Sequence, residues 1–141
     1  MAKFTVIGLE YVREQLQERS DRVEGTMRHM LNAGAKIVTE EMQTSMREYK
    51  LKDTGDMIAS IKASKIKRDK DGGMSISIAP HGVDYHKVPN AAKAKVYENG
   101  LSNLPARPWK TLADERARPK VLERMQEIFN AEMNRGGGGE E

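Results

Sequence analysis

The chain has 141 residues, 38% apolar and 32% charged, with a formal net charge of +3. That length suits one domain with a real core, and no stretch approaches the ~20 consecutive apolar residues that a membrane-spanning helix needs. Cysteine is absent, which excludes disulfide scaffolds, thiol nucleophiles and thiolate metal sites and fits a reducing compartment. The charge is far below that of a dedicated nucleic-acid binder.

The N-terminal residues MAKFTVIGLE lack the charged-then-apolar layout of a secretory leader, so secretion is not expected. Phe4-Thr5-Val6-Ile7 is a β-branched run ending at Gly8 and reads as an edge strand. Leu9, Val12 and Leu16 then recur at helical spacing and predict a short amphipathic helix. Ser20-Asp21 offers an N-cap, with Glu24 placed as a capping-box partner. A long helix follows over about residues 22–49. Val23, Met27, Met30, Leu31, Ile37, Val38, Met42 and Met46 share its apolar stripe, and the methionines are expected to fill the core rather than line a groove. Gly34 lies on that stripe at a cost of about 1 kcal/mol against alanine, so it marks a close crossing by another element.

Residues 52–56 break the helix, and Thr54-Gly55 restarts it, with Thr54 capping a short helix that holds Met57, Ile58 and Ile61. A phosphate-binding reading of this turn lacks the further glycines and the lysine it needs. Residues 62–67 read as a strand, 68–73 as a hairpin turn and 74–79 as a second strand. In that second strand Met74, Ile76 and Ile78 alternate inward and the serines outward. Residues 80–92 have no usable period and read as a long loop or arm carrying His81, Asp84, Tyr85 and His86. These residues lack a third histidine, an i, i+4 pair and an evident second shell, so an exposed loop is favoured over a metal site. Lysines 62, 65, 67, 70, 87, 93 and 95 make the hairpin and arm basic. Solvated, edge-protecting side chains are favoured over phosphate contacts, because few aromatics interleave with them.

The stretch 92–113 carries the densest signals. Lys95-Val96-Tyr97-Glu98 reads as a strand end, Asn99-Gly100 as a turn, and Ala106-Arg107-Pro108-Trp109 as the start of a helix, with Pro108 suited to its first position. Glu98, a lone acid before a turn, reads as a capping or ion-pairing group. Pro119 is expected to end or kink that helix. Val121, Leu122, Met125, Ile128, Phe129 and Met133 form a second apolar stripe. Residues 136–141, Gly-rich and acidic, read as a flexible tail or a cloning remnant, leaving 1–135 as a single domain. No set of nucleophile, base and orienting group is evident, and neither catalysis nor a cofactor is expected.

The order of these signals resembles the neck or tail-completion (head–tail joining) proteins of long-tailed bacteriophages and prophages. The likeness runs from about Met27 to Met133. It rests on the long helix, on the turn Lys52-Asp53-Thr54-Gly55-Asp56-Met57-Ile58-Ala59-Ser60-Ile61, on Tyr97-Glu98-Asn99-Gly100 and on Ala106-Arg107-Pro108-Trp109. Met57 stands where leucine is usual and Trp109 where phenylalanine is, both tolerable apolar exchanges. The resemblance implies an α+β subunit, two long helices packed on a small curved antiparallel sheet with a long arm. It also implies assembly as a ring, hexameric or of similar size, between the head connector or stopper and the tail tube or terminator. Thr54, Gly55, Tyr97, Glu98, Gly100, Ala106, Arg107, Pro108 and Trp109 would then be its structural and interface motif, and His81, Asp84, Tyr85 and His86 a docking arm. DNA passing through the ring would be a further contact, no membrane would be involved, and the protein would reside in the virion after assembly in the bacterial cytoplasm. The alternative weighed against this is a basic nucleic-acid-binding module built from residues 62–95.

Overall fold

The computed structural model describes residues 2–5, 20–51, 55–84 and 86–138. Among them the elements are β1 (Ala2–Thr5), α1 (Ser20–Glu48), α2 (Asp56–Ala59), β2 (Ile61–Ala63), β3 (Lys67–Arg68), β4 (Met74–Pro80), α3 (Asn90–Asn99) and α4 (Trp109–Gly138). The fold is α+β. The helix expected around Leu9, Val12 and Leu16, the cap at Thr54 and the position of Tyr85 lie outside the described residues.

Helix α1 forms where the apolar stripe predicts it. Val23, Met27, Met30, Leu31, Val38, Met42 and Met46 are all buried, and Ile37 packs partly buried against them. The methionines therefore fill the core. The helix begins at Ser20, so the expected cap is already helical, and Glu24 bonds instead to Arg28 one turn on and to Arg68 of β3. Its end is a Schellman motif: Leu51 N–H donates to the Met46 carbonyl at 2.9 Å and Lys50 N–H to the Arg47 carbonyl at 3.0 Å. Lys50 takes the left-handed conformation, φ 61°, that glycine usually supplies there.

Strand β4 is the centre of the sheet. β1 pairs with it antiparallel on one side, Phe4 opposite Ile76, while β2 and β3 pair along the other, Lys62 opposite Ala79 and Lys67 opposite Ser75. Met74, Ile76 and Ile78 point into the core as their alternation predicts. Ser75 departs from the expected outward, wet face, since it too is buried. The strand expected over 62–67 is broken into two pieces. At the break Ser64 N–H donates to the Ser77 carbonyl, and the Ser64 hydroxyl accepts from Ser77 N–H at 3.0 Å, replacing a ladder acceptor.

Helix α1 touches both the sheet and α4, and α4 rests chiefly on α1 rather than on the sheet. The two helices run antiparallel. Ser45 Oγ donates to the Trp109 carbonyl at 2.6 Å at one end, and the Arg22 guanidinium to the Glu132 carbonyl at 3.0 Å at the other, twenty-three residues away on each helix. Arg116–Glu48 and Lys120–Glu41 pair across the outside of this seam. Gly34 marks the close crossing: a Cβ there would lie 3.0 Å from Met125 Cε and 3.2 Å from Val121 Cγ1.

Two expectations are corrected here. Helix α4 continues through Pro119 instead of ending there. Both Pro119 and Glu115, whose carbonyl loses its donor, are exposed, so water can satisfy that carbonyl while Ala117 and Val121 stay buried on the opposite face. The glycines at 136–138, read as the start of a tail, contribute the last residues of α4, and residues 139–141 lie outside the described residues.

Candidate functional site

The densest stretch of sequence builds a rigid corner. Residues 95–98, read as a strand end, belong instead to helix α3. The physical reason lies just upstream: Pro89 stands at the N-cap, and Asn90-Ala-Ala-Lys-Ala-Lys supplies strong helix formers that outweigh the β-favouring Val96-Tyr97 pair. Gly100 ends α3 at φ 74°, with its N–H donating to the Val96 carbonyl at 2.7 Å. A Cβ at Gly100 would stand 2.7 Å from the Ala106 amide nitrogen and 2.8 Å from the Leu104 carbonyl, so only glycine lets the chain fold back this tightly. Leu101 and Leu104 bond each other across the turn.

The returning chain is tied down at every step. Arg107 N–H donates to the Tyr97 carbonyl at 2.6 Å, and the Arg107 guanidinium lies 5.8 Å from the centre of the half-buried Tyr97 ring. Ala106 is exposed. Pro108 accepts the first helical bond of α4, from Leu112 N–H, which places it at the N-cap, one position before the expected one. Glu98 is a capping group: its carboxylate accepts from Lys110 N–H at 2.8 Å and from the Thr111 hydroxyl at 2.6 Å. A negative charge at a helix N-terminus is favourable. Trp109 is 3% exposed, and its indole N–H donates to the Ala94 carbonyl at 2.8 Å, joining α4 to α3. Burial pushes the Asp114 carboxyl above its usual range, and Glu98 adds to that, against Lys110 and Arg118.

Of the loop or arm expected over 80–92, residues 90–92 belong to helix α3, and the described residues 81–84 and 86–89 form a turn held by Asp84. Asp84 is 8% exposed, and its carboxylate accepts from Lys93 Nζ at 2.8 Å, from Val88 N–H at 2.9 Å and from His86 N–H at 2.8 Å. Asn90 is buried and donates to the His81 carbonyl at 2.8 Å. His81 and His86 are exposed on this turn. Asp84 is thus committed to its own loop. Among the described residues no three His, Asp or Glu side chains gather as a metal site. Sequence reasoning named Lys93 only as part of a basic arm and missed its pairing with Asp84 and the role of Asn90, whose spacing from Asp84 gives no motif; the alanine-rich run after Pro89 was the legible sign that they sit on a helix.

Gly55, the other described glycine of the motif, is the N-cap of α2 at φ 74°, with no side-chain cap, and its carbonyl accepts from Ala59 N–H. It lies apart from the Gly100–Trp109 corner in sequence but on the same side of the core, since α2 packs on α3. Lys62, Lys65, Lys67 and Lys70 are all exposed along the outer strand and its turn. Finally, an open groove of about 230 Å³ is lined by Val88, Ala92, Lys93, Val96, Tyr97 and Leu104. No described helix is long and apolar enough to cross a membrane.

Gly100 to Trp109 thus form a capped, glycine-dependent corner on the α+β core, with apolar side chains left outside. A family model described as "Bacteriophage HK97-gp10, putative tail-component" matches residues 10–100. The chain belongs to this HK97-gp10-like family, and with it to the structural tail components of bacteriophage virions. The match ends at Gly100, so the Ala106–Trp109 motif and α4 lie beyond it, a shorter span than the resemblance in the sequence suggested. No curated protein and no solved structure gave a significant match.

Proposed function

We propose that this tail component is a subunit of a ring at the head–tail junction, completing the tail or joining it to the head connector, in a structural rather than catalytic role. The reading is carried by the combination of the tail-component family with large apolar side chains that the folded chain leaves in water: Val83, Val88, Leu101, Leu122 and Met133 are all exposed. The corner from Gly100 to Trp109 supports it by fixing α3 and α4 in one relative orientation, as a repeated subunit contact requires. Its partners would be its own copies, the connector or stopper on one side and the tube or terminator on the other.

Immunogold electron microscopy of phage particles tests the reading. Gold at the head–tail junction is the expected result, and gold confined to the tail tip or baseplate would overturn it. A second reading, contact with DNA, is favoured by one observation: Lys62, Lys65, Lys67 and Lys70 are exposed and form no ion pair among the described residues. On that reading duplex binding falls steeply as salt is raised, and substituting all four lysines by glutamine abolishes it. Binding that is undetectable at low salt removes this reading.

A further inference from the structure

One asparagine of the chain is followed by glycine, Asn99-Gly100, and the pair stands where α3 ends and the chain turns back. Asparagine in that setting is chemically labile. The backbone nitrogen of the next residue attacks the side-chain amide carbon, and glycine leaves that nitrogen unhindered. Asn32, Asn90, Asn103, Asn130 and Asn134 are followed by alanine, leucine or arginine, whose side chains crowd the attack. Asn99 is also exposed, so water and hydroxide reach it.

The folded corner holds this reaction shut. To become a nucleophile the Gly100 nitrogen must give up its proton, and that proton is engaged: Gly100 N–H donates to the Val96 carbonyl at 2.7 Å. Asn99 is the last residue of α3, so its backbone is held in the helix and cannot swing Cγ onto the nitrogen. The returning chain is fixed as well, by Arg107 N–H on the Tyr97 carbonyl at 2.6 Å and by the Glu98 cap on Lys110 N–H. Attack requires the last turn of α3 to open, a local event distinct from the folded state.

We infer that Asn99 is a modification site gated by this corner, closed to deamidation in the folded subunit and converted once the turn opens. In the open chain, base takes the Gly100 amide proton, the nitrogen bonds to Asn99 Cγ, and the side-chain nitrogen leaves as ammonia, giving a cyclic imide. Water then opens the imide at either carbonyl. Cleavage at Cγ leaves aspartate. Cleavage at the main-chain carbonyl leaves isoaspartate, in which the main chain runs through Cβ and Cγ. The net change is a water consumed and an ammonia released. The isoaspartyl chain does not rebuild the corner. It is a carbon longer just before Gly100, where even an added Cβ would stand 2.7 Å from the Ala106 nitrogen and 2.8 Å from the Leu104 carbonyl. Both products also place a negative charge at the C-terminal end of α3, which the helix dipole disfavours. Unfolding at this corner thus becomes irreversible with time, while subunits that stay folded are spared.

The full-length protein tests this when aged at mildly alkaline pH, in buffer and in parallel in urea, then digested and analysed by mass spectrometry. Conversion is read as the amide-to-acid mass gain at residue 99, with exposed Asn103 in the same turn as the internal reference. Asn99 is expected to convert at least about tenfold more slowly in buffer than in urea, and Asn103 slowly in both. Equal rates at Asn99 in the two conditions, or none in urea, overturn the inference. The urea-aged protein is then refolded by dilution. Chains labelled by an isoaspartate-specific methyltransferase are expected to stay sensitive to protease while unconverted chains recover. Asn99→Gln, whose larger imide closes far more slowly, is expected to refold fully after the same ageing. Full recovery of the isoaspartyl chains, or equal loss in Asn99→Gln, would show that the corner does not depend on this residue's chemistry and would overturn the inference.

Discussion

Trp109 joins three helices through one side chain and one backbone carbonyl. Its indole reaches the Ala94 carbonyl in α3, and its own carbonyl takes the Ser45 hydroxyl of α1. Trp109→Ala is expected to cost about 3 kcal/mol or more, from the lost burial and the cavity. Unchanged thermal melting together with normal particle assembly would contradict this. Asp84 supports a pH prediction. The Lys93 ammonium, with the Val88 and His86 amides, lowers its pKa from 3.8 to about 2, against the opposing effect of burial. The folded chain therefore holds that proton less tightly than the unfolded chain. Stability from this group is complete above 3.8 and is lost as pH falls from there towards 2. Asp84→Asn should melt earlier than the wild type at neutral pH, with the gap closing across that acid window. A gap that is the same on both sides of the window would show that the carboxylate charge does not hold the loop.

Between elements, the tightest fit is α1 against α4 at Gly34. A valine there adds branched methyls where Met125 and Val121 already stand 3.0 and 3.2 Å from a bare Cβ. Overpacking of this kind costs about 1–3 kcal/mol, more than the gain of up to about 1 kcal/mol from relieving a helical glycine. Gly34→Val is therefore expected to lower the urea midpoint, and a raised midpoint would mean that α4 yields easily at the crossing. This crossing was legible in the sequence because a glycine on a helix's apolar stripe gives up both burial and helix propensity, a double loss that a close neighbour offsets. Helix α1 and strand β4 were legible because their periods are strong and their buried faces unbroken. Helix α3 was not. Ala94 is its single buried apolar residue, so it shows no stripe, and its identity rests on alanine and lysine propensity alone. Pro119 misled because a proline's cost depends on which face it occupies, and the sequence does not show that face. The exposed pair on α4 was hidden by its own composition: Leu122 and Met133 read as core until α4 is seen to turn them outward.

At the scale of the whole molecule, the first long helix is covered by the last. The contacts that pair α1 with α4 join residues 64 and 110 positions apart, so neither helix completes its packing until nearly the whole chain is present. A chain stopped before Trp109 is expected to be cut within α1 by a protease at a dose that spares the full-length protein. Equal resistance would show that the sheet alone suffices to hold α1. The order of synthesis then acquires a role. At about 5–20 residues per second, Glu132 follows the end of α1 by roughly 4–17 s, and throughout that interval the part of α1 that α4 covers is bare on the nascent chain. Leu122 and Met133 leave the ribosome in the same late segment that covers this face. The exposed side chains of α4, Leu122 and Met133, therefore take their place only as the core closes. Completion of the core is timed by the position of α4 in the gene.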